Sequence, residues 1–277
     1  MILVTGATGN VGRELVGLLA GAGRPVRALI RREADRAKLA PGAEAVIGDL
    51  NRAETLAEAV DGVTAIHLLA GYDGLEEMLA AARGAGVERV VLQSSSAAPT
   101  GDLSNAVARY HILSERAIRD SGLGWTFLQP NSFMSNALRW LPQLRAGDVV
   151  TLPFADVPIA TVDPHDVAEV SAAALTTSDH AGRSYRLSGP ESLAPAEQVR
   201  ILGRAIGREL RFEPESNEGA RARMTAEMPR EYVDAFFEFF VDGTVDESTV
   251  LPTVAEVLGR PPGTFEDWAL AHADAFR

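Results

Sequence analysis

Three glycines near the start of the chain have a spacing that suits phosphate binding. They lie in the segment Gly6-Ala7-Thr8-Gly9-Asn10-Val11-Gly12, which follows the apolar run Ile2–Thr5 and opens a helical pattern. Glycine permits positive φ and close backbone approach, and a helix N-terminus offers free N–H groups and a positive dipole end. The loop, including Thr8, Asn10 and Val11, is therefore predicted to bind a dinucleotide pyrophosphate; a purely structural turn is the alternative.

A basic pair follows the second apolar run, Val26–Ile30. Arg31 stands about 20 residues after the third glycine, where an acidic residue would bind a ribose 2′-hydroxyl and an arginine suits a 2′-phosphate. Arg31 and Arg32 therefore favour NADP(H) over NAD(H). The two arginines could instead form a solvated surface pair facing Glu33, and the sequence leaves open which of them carries the preference.

Residues after later strands extend the predicted dinucleotide site. Asp49 and Leu50 follow the third run, where Asp49 could contact the adenine amino group or cap the next helix. The segment Leu69-Ala70-Gly71 follows the fourth run and could pass under the nicotinamide-side ribose, although a plain turn is the alternative. Pro130 and Phe133 are expected near the nicotinamide end.

The elements that must position these residues alternate between short apolar runs and helical patterns. The predicted strands of the first half are Ile2–Thr5, Val26–Ile30, Ala43–Ile47, Ala65–Leu69, Val90–Gln93 and Trp125–Leu128. Continuous apolar strands separated by helices indicate a parallel sheet covered on both faces. With right-handed crossovers, this predicts an α/β fold with a doubly wound parallel sheet, the Rossmann fold.

The regular alternation of strand-like and helix-like segments changes after Pro130, and this predicts a smaller C-terminal α/β lobe. We expect a single domain over residues 1–277, with a dinucleotide-binding core over 1–130 and a mainly substrate-side lobe over 131–277. The lobe is predicted to contain a strand at Pro158–Val162 and one helix over about Glu218–Val241. The phenylalanines near the end of that helix could form a lid over an apolar substrate, but helix packing is the more common explanation.

Composition excludes several classes of function. The chain of 277 residues has no cysteine and a formal net charge of −12. It therefore has no disulfide, thiolate metal site or cysteine nucleophile, and its acidic balance disfavours nucleic acid and anionic membranes as partners. None of the five histidines forms a close ligand pair, so no metal site is predicted. With no signal-peptide pattern and no membrane-length apolar run, we expect a cytoplasmic monomer or homodimer.

The chain resembles the NmrA-like family of atypical short-chain dehydrogenases over nearly its whole length. Besides the glycine loop and the basic pair, the resemblance rests on Gly48-Asp49-Leu50, the serines after the fifth strand, His111–Glu115, Ser121–Leu123, Trp125–Pro130, Phe133–Asn136 and Val257–Pro262. The branch with these motifs includes NADPH-dependent quinone oxidoreductases, so the resemblance implies NADP(H) binding and possible quinone reduction. Gln129 departs from the pattern, because many relatives have arginine there, and this removes a positive charge near the expected nicotinamide pocket.

The candidates for catalysis are Ser94, Tyr110 and His111. Ser94 lies at the end of the fifth strand, where this fold places substrate and cofactor groups, but turn formation or helix capping explains it as well. Tyr110 is followed four residues later by Ser114, whereas typical short-chain dehydrogenases have lysine there. Tyr110 and His111 could border the site or simply pack.

Two functions follow from these observations. The first is an NADP(H)-dependent oxidoreductase that transfers hydride to a small apolar acceptor, such as a quinone or another carbonyl or imine compound. Such a transfer needs positioning more than a strong general base. The alternative is a non-catalytic NADP(H)-sensing regulator that acts through protein partners.

Overall fold

A computed structural model describes residues 1–277 and contains eleven α-helices and nine β-strands. The strands are β1 (Ile2–Val4), β2 (Val26–Ile30), β3 (Glu44–Ile47), β4 (Ala65–Leu69), β5 (Arg89–Gln93), β6 (Gly124–Pro130), β7 (Val149–Leu152), β8 (Arg183–Leu187) and β9 (Arg211–Pro214). The helices are α1 (Asn10–Gly21), α2 (Ala57–Val60), α3 (Leu75–Gly84), α4 (Ala106–Asp120), α5 (Leu141–Ala146), α6 (Pro164–Thr176), α7 (Pro195–Ile206), α8 (Asn217–Glu227), α9 (Arg230–Phe240), α10 (Thr253–Leu258) and α11 (Phe265–Ala271).

Seven strands form the main sheet in the order β3-β2-β1-β4-β5-β6-β8. The pairs from β3 through to β6 are all parallel, and Leu3 at the centre of β1 lies beside Arg27 of β2 and Ile66 of β4. The chain leaves β1 toward β2 on one side and later returns to place β4 on the other. The predicted doubly wound parallel sheet is confirmed, and the carboxyl ends of its parallel strands share one edge.

The chain divides into two compact units. The first comprises residues 1–98, 110–130 and 164–186. Its strands are short, continuous apolar runs because the sheet is covered by helices on both faces. The core of this unit includes Leu3, Leu29, Ile66, Leu68, Leu92 and Phe127, all of them buried.

The second unit comprises residues 99–109, 131–163 and 187–277. It contains the two-stranded parallel sheet β7–β9. One core cluster of this unit includes Trp140, Val150, Leu202, Phe265 and Trp268. The division differs from the expected one at residue 130, because α6 packs against α1 of the first unit and β8 joins the main sheet.

Two predicted elements of the C-terminal half are wrong. Pro158–Val162 is not a strand; Ile159 and Val162 make only isolated bridges, to Leu193 and Phe133 respectively. The single helix expected over Glu218–Val241 is two helices, α8 and α9, separated at Pro229. Proline cannot donate the helical hydrogen bond and its ring clashes with the preceding turn, so it ends one helix and begins the next.

No helix of the chain is both long enough and apolar enough to cross a membrane.

Candidate functional site

The glycine loop after β1 is closed so tightly that its first and last glycines leave no room for a side chain. Gly6 has a φ of +60°, and the Gly9 amide donates to the Gly6 carbonyl oxygen at 2.8 Å. A Cβ at Gly12 would lie 2.2 Å from that same oxygen, and a Cβ at Gly6 would lie 2.5 Å from Cδ1 of Leu69. Only glycine fits at either position, and the backbone of the loop therefore remains open to a ligand.

The first turn of α1 is suited to an anion. Gly9 is the N-cap residue and supplies no side-chain hydrogen bond, and the first turn contains no acidic residue. Gly9 and Asn10 are exposed, whereas the side chain of Val11 packs inward. An uncapped helix N-terminus has unsatisfied N–H groups and a positive dipole end. These residues therefore fit a dinucleotide pyrophosphate on their own geometry.

The two arginines after β2 have different surroundings. Arg32 Nε lies 3.2 Å from Oδ2 of Asp35, which also binds Lys38 at 2.7 Å. Hydrogen bonds from Lys38 and Arg32 lower the pKa of Asp35. Arg31 is exposed and makes no ion pair. The structure thus separates two residues that the sequence could not distinguish.

Tyr72 joins Arg31 and Asp49 at the carboxyl edge of the sheet. Burial raises the pKa of the Tyr72 hydroxyl, the positive charge of Arg31 opposes this shift, and the negative charge of Asp49 adds to it. Oδ1 of Asp49 also accepts a hydrogen bond from the Asn51 amide at 3.0 Å, so this side chain stabilises the turn that follows β3. Leu50 is buried in the core, which leaves only its backbone for a ligand. Sequence reasoning missed Tyr72, although an aromatic residue just after β4 was a usable signal.

The loop after β4 lies against the ring of Tyr110. Gly71 has a φ of +85°, and a Cβ there would lie 2.9 Å from Cδ2 of Tyr110. The Gly71 amide donates to Oγ of Ser114 at 3.1 Å, while Ala70 packs on the core of the first unit. The structure therefore brings Leu69, Gly71 and Tyr110 together, and Leu69 in turn contacts the glycine loop.

Ser94 belongs to a buried polar cluster. Its hydroxyl donates to Oε1 of Glu115 at 2.7 Å, and Nε2 of Gln129 donates to the same oxygen at 2.8 Å. Ser94 is 4 % exposed and Glu115 is 5 % exposed. Arg119 approaches the other carboxylate oxygen at 3.2 Å. In this geometry the Ser94 hydroxyl donates its hydrogen bond to Glu115. The sequence singled out Gln129 but assigned no role to Glu115.

His111 is held as a neutral imidazole. Its ring contacts that of Tyr110 with centroids 4.2 Å apart, and its buried Nδ1 has no hydrogen-bond partner. Burial lowers the His111 pKa to about 3. At neutral pH the ring can exchange hydrogen bonds with a ligand but does not carry a positive charge.

Pro130 and Phe133 fall in different units. Pro130 ends β6 and is buried, and its carbonyl oxygen accepts from the Ser96 amide at 3.0 Å. In the second unit, Phe133 is half-buried and bridges to Val162 through its backbone. The phenylalanines of α9 also divide: Phe237 and Phe239 are buried, while Phe236 and Phe240 are half-buried. Packing explains the first two, as the sequence favoured.

No group of three or more His, Cys, Asp or Glu side chains is arranged to hold a metal ion.

Comparison with known proteins identifies the family. A family model for NAD(P)H-binding proteins matches residues 6–178, which is more than half of the chain and includes the glycine loop and both arginines. The chain belongs to the NAD(P)H-binding family. The predicted family and class, an NAD(P)H-dependent oxidoreductase, are confirmed by similar proteins with reductase names.

Relatives of this NAD(P)H-binding protein match it over its full length. The chain is 43 % identical over 280 residues to the (4-alkanoyl-5-oxo-2,5-dihydrofuran-3-yl)methyl phosphate reductase of Streptomyces griseus subsp. griseus, covering 100 % of this chain and 99 % of that protein. It is 34 % identical over 285 residues to the NAD(P)H azoreductase of Xenophilus azovorans, with the same coverage. An NADPH-dependent quinone oxidoreductase from Escherichia coli shares the fold, with a TM-score of 0.80, 22 % identity, and coverage of 97 % and 98 %.

Proposed function

We propose that this protein is an NADPH-dependent reductase of small, electron-poor acceptors that contain a carbon–carbon double bond conjugated to a carbonyl, with a quinone as the simplest case. The observation that carries this proposal is the contact between the Tyr110 ring and the neutral His111 ring, with Tyr110 packed against Gly71 just after β4. In a doubly wound sheet, ligands bind at the carboxyl ends of the strands.

The residues that would hold the cofactor follow from their surroundings. The backbone of Gly6–Gly12 would bind the pyrophosphate, because Gly6 and Gly12 leave no room for a Cβ and the loop leads into helix α1, whose N-cap residue makes no side-chain hydrogen bond. Arg31 would bind the 2′-phosphate, since it has no carboxylate partner, whereas Arg32 is paired with Asp35. Asp49 and Tyr72 lie close enough to Arg31 to border the adenosine end.

The bound cofactor supplies a hydride, and the protein supplies orientation. His111 is uncharged, so it can hydrogen-bond a carbonyl oxygen or carboxamide without acting as an imidazolium acid. The Ser94 hydroxyl donates its hydrogen bond to Glu115 and is therefore better placed to support the site than to attack a substrate. Positioning of this kind accounts for large rate effects without a strong base.

The choice of acceptor draws on the relatives. The Streptomyces reductase is named for an unsaturated lactone that bears an alkanoyl group and a phosphate. In that lactone, as in a quinone, a double bond is conjugated to carbonyl groups and can accept hydride at carbon. We therefore extend conjugated carbonyl chemistry to this chain, with a quinone and a lactone of that kind as the two acceptors to compare.

A turnover assay tests the proposal. Purified protein is mixed with NADPH or NADH and with menadione, an azo dye, or the unsaturated lactone in phosphorylated and unphosphorylated forms, and the loss of NADPH absorbance is followed. We expect turnover with conjugated carbonyl acceptors and a preference for NADPH. Tight NADPH binding without oxidation by any acceptor would contradict the proposal and favour the NADP(H)-sensing alternative.

A further inference from the structure

One face of α4 carries four residues with polar side chains. Two of them, Tyr110 and His111, lie one helical turn before the other two. Ser114 follows Tyr110 by four residues, and Glu115 follows His111 by four. The first pair contributes the rings described above. The second pair is buried, with Ser114 3 % exposed and Glu115 5 % exposed.

Ser114 fastens the loop after β4 to this helix. Its Oγ donates to the Tyr110 carbonyl oxygen at 2.8 Å and accepts from the Gly71 amide at 3.1 Å. The Gly71 backbone is thereby drawn against the Tyr110 ring, where a single methyl group would not fit. A mid-helix serine that bonds the carbonyl four residues before it usually serves only its own helix; here the same oxygen also binds another element.

Glu115 fastens the same helix to the ends of two more strands. Oε1 accepts from Ser94, just after β5, and from Gln129, near the end of β6. Oε2 accepts from Arg119, whose guanidinium lies over the rings of Trp125 and Phe127 at 5.1 and 4.6 Å. A buried carboxylate that accepts several hydrogen bonds fixes its partners firmly, because losing any donor leaves buried charge poorly solvated.

We propose that Ser114 and Glu115 are positioning residues for hydride transfer, which set the Tyr110–His111 pair and the Gly71 backbone by holding α4 to the ends of β4, β5 and β6. Ser114 stands four residues after Tyr110, at the place of the lysine in a Tyr-x-x-x-Lys pair, and holds the loop with a hydroxyl instead of a charge. The inference rests on the proposed function, since it concerns the same site.

Substitutions at Ser114 test the proposal against a matched control. Ser114→Ala removes the hydroxyl, and Ser114→Thr retains it. Ser121→Ala is the control, because Ser121 makes the same two kinds of bond: its Oγ donates to the Ile118 carbonyl at 2.7 Å and accepts from the Leu123 amide at 3.2 Å. Each variant is measured for kcat, NADPH affinity, melting temperature and hydrogen exchange of the Gly71 amide.

We expect Ser114→Ala to lower kcat by roughly tenfold to a hundredfold, the range that follows from a misplacement of about 1 Å. NADPH affinity should change less than about threefold, since the glycine loop is untouched, and Gly71 exchange should accelerate. Ser114→Thr should restore both values. A loss of kcat no greater than that of Ser121→Ala, or unchanged Gly71 exchange, would overturn the proposal.

Glu115→Gln provides a second arm that does not depend on turnover. The glutamine side chain has the size of glutamate but no negative charge. It therefore binds Arg119, Ser94 and Gln129 less strongly. We expect a changed emission of bound NADPH, which reports the nicotinamide surroundings, with little change in affinity. Unchanged emission would count against the inference even for an enzyme with no identified acceptor. Absence of turnover in the wild-type protein would contradict the proposed function but not the positioning role of Glu115, which the emission measurement tests separately.

Discussion

At the scale of single residues, the neighbouring Arg31 and Arg32 are chemically identical but differ in their partners. Arg32 shares Asp35 with Lys38, so part of its charge is already neutralised. Arg31 has no carboxylate partner and acts electrostatically on Tyr72, together with Asp49. Because it has no carboxylate partner, we propose this guanidinium as the group that distinguishes a 2′-phosphate from a 2′-hydroxyl.

The first prediction concerns cofactor preference. Arg31→Ala should weaken NADPH binding by roughly tenfold to a hundredfold, because a charge-assisted hydrogen bond contributes about 1.5–3 kcal/mol. NADH binding should change little. Arg32→Ala is the control and should have a small effect on both cofactors. Fluorescence titration of the two variants with each cofactor measures this. An equal loss for NADPH and NADH, or a larger loss in the Arg32 variant, would refute the assignment.

Ser94 shows how a residue can be located correctly while its bonding is not foreseen. Its place after β5 was readable from the strand pattern. Its hydrogen bond to Glu115 was not, because the two residues are 21 positions apart and meet only when α4 packs on the sheet. The same holds for Gln129, whose amide donates to the same carboxylate.

At the scale of secondary-structure elements, the start of α1 carries the phosphate-binding prediction. Gly12 lies in the first turn and faces the glycine loop, with no room for a Cβ. Gly17 lies in the same helix, and a Cβ there would meet nothing within 4 Å. Helix α1 thus contains one glycine that the packing requires, Gly12, and one that could be replaced by a larger residue, Gly17.

The second prediction uses this contrast. Gly12→Ala should lower NADPH affinity more than tenfold and destabilise the protein by about 1–3 kcal/mol, because the loop must move to admit the methyl group. Gly17→Ala should leave affinity unchanged and raise stability by up to about 1 kcal/mol, since alanine has the higher helix propensity. Cofactor titration and urea unfolding measure both. Similar effects from the two substitutions would show that the loop is not the binding element.

At the scale of the whole molecule, His67 links global stability to pH. It lies in the central strand β4 with no exposed surface, and its Nδ1 is 2.8 Å from Oγ of Ser171 in α6. Burial lowers its pKa to about 4 and outweighs the opposing effect of the Gln93 side chain. Nε2 has no hydrogen-bond partner, so the folded protein resists protonation there.

The third prediction gives the sign of this dependence. The folded-state pKa is below the ordinary value of 6.5, so the unfolded chain binds a proton that the folded chain does not. Stability should be retained above about pH 6.5 and decrease by about 3 kcal/mol as the pH falls to about 4. His111 should add to this loss, because its pKa is lowered in the same way.

Urea unfolding across this pH range measures the effect. His67→Gln should reduce stability at neutral pH, through loss of packing and of the Ser171 contact, but should flatten the decline below pH 6.5. Ser171→Ala serves as the control, since it removes the hydrogen bond and keeps the buried imidazole. An equally steep decline in His67→Gln and in the unmodified protein would exclude His67 as the source.

The net charge of −12 also acts at the scale of the molecule. An acidic protein that binds a polyanionic cofactor needs local groups that attract phosphate without changing the overall charge. Backbone N–H groups at the start of α1 would meet this need because they are neutral, and Arg31 would add one unpaired cation.

The sequence by itself determined the doubly wound sheet, the glycine loop and the basic pair. These features depend on local periodicity and on the backbone freedom of glycine, and residues close together in the sequence determine both properties. Element boundaries in the C-terminal half were less well determined. Pro158–Val162 has a strand-like composition but finds only isolated bridges, since pairing depends on a partner that local sequence does not specify.

Only the tertiary structure decided which polar groups are free and which are bound. It paired Arg32 with Asp35 and left Arg31 without an ion pair. It directed the Ser94 hydroxyl to Glu115 as a hydrogen-bond donor, and it brought Tyr72 within electrostatic reach of Asp49. It also joined residues 164–186 to the first unit instead of the lobe expected after residue 130. Each outcome depends on contacts between residues far apart in the chain, because burial and hydrogen-bond partners exist only after the elements have packed.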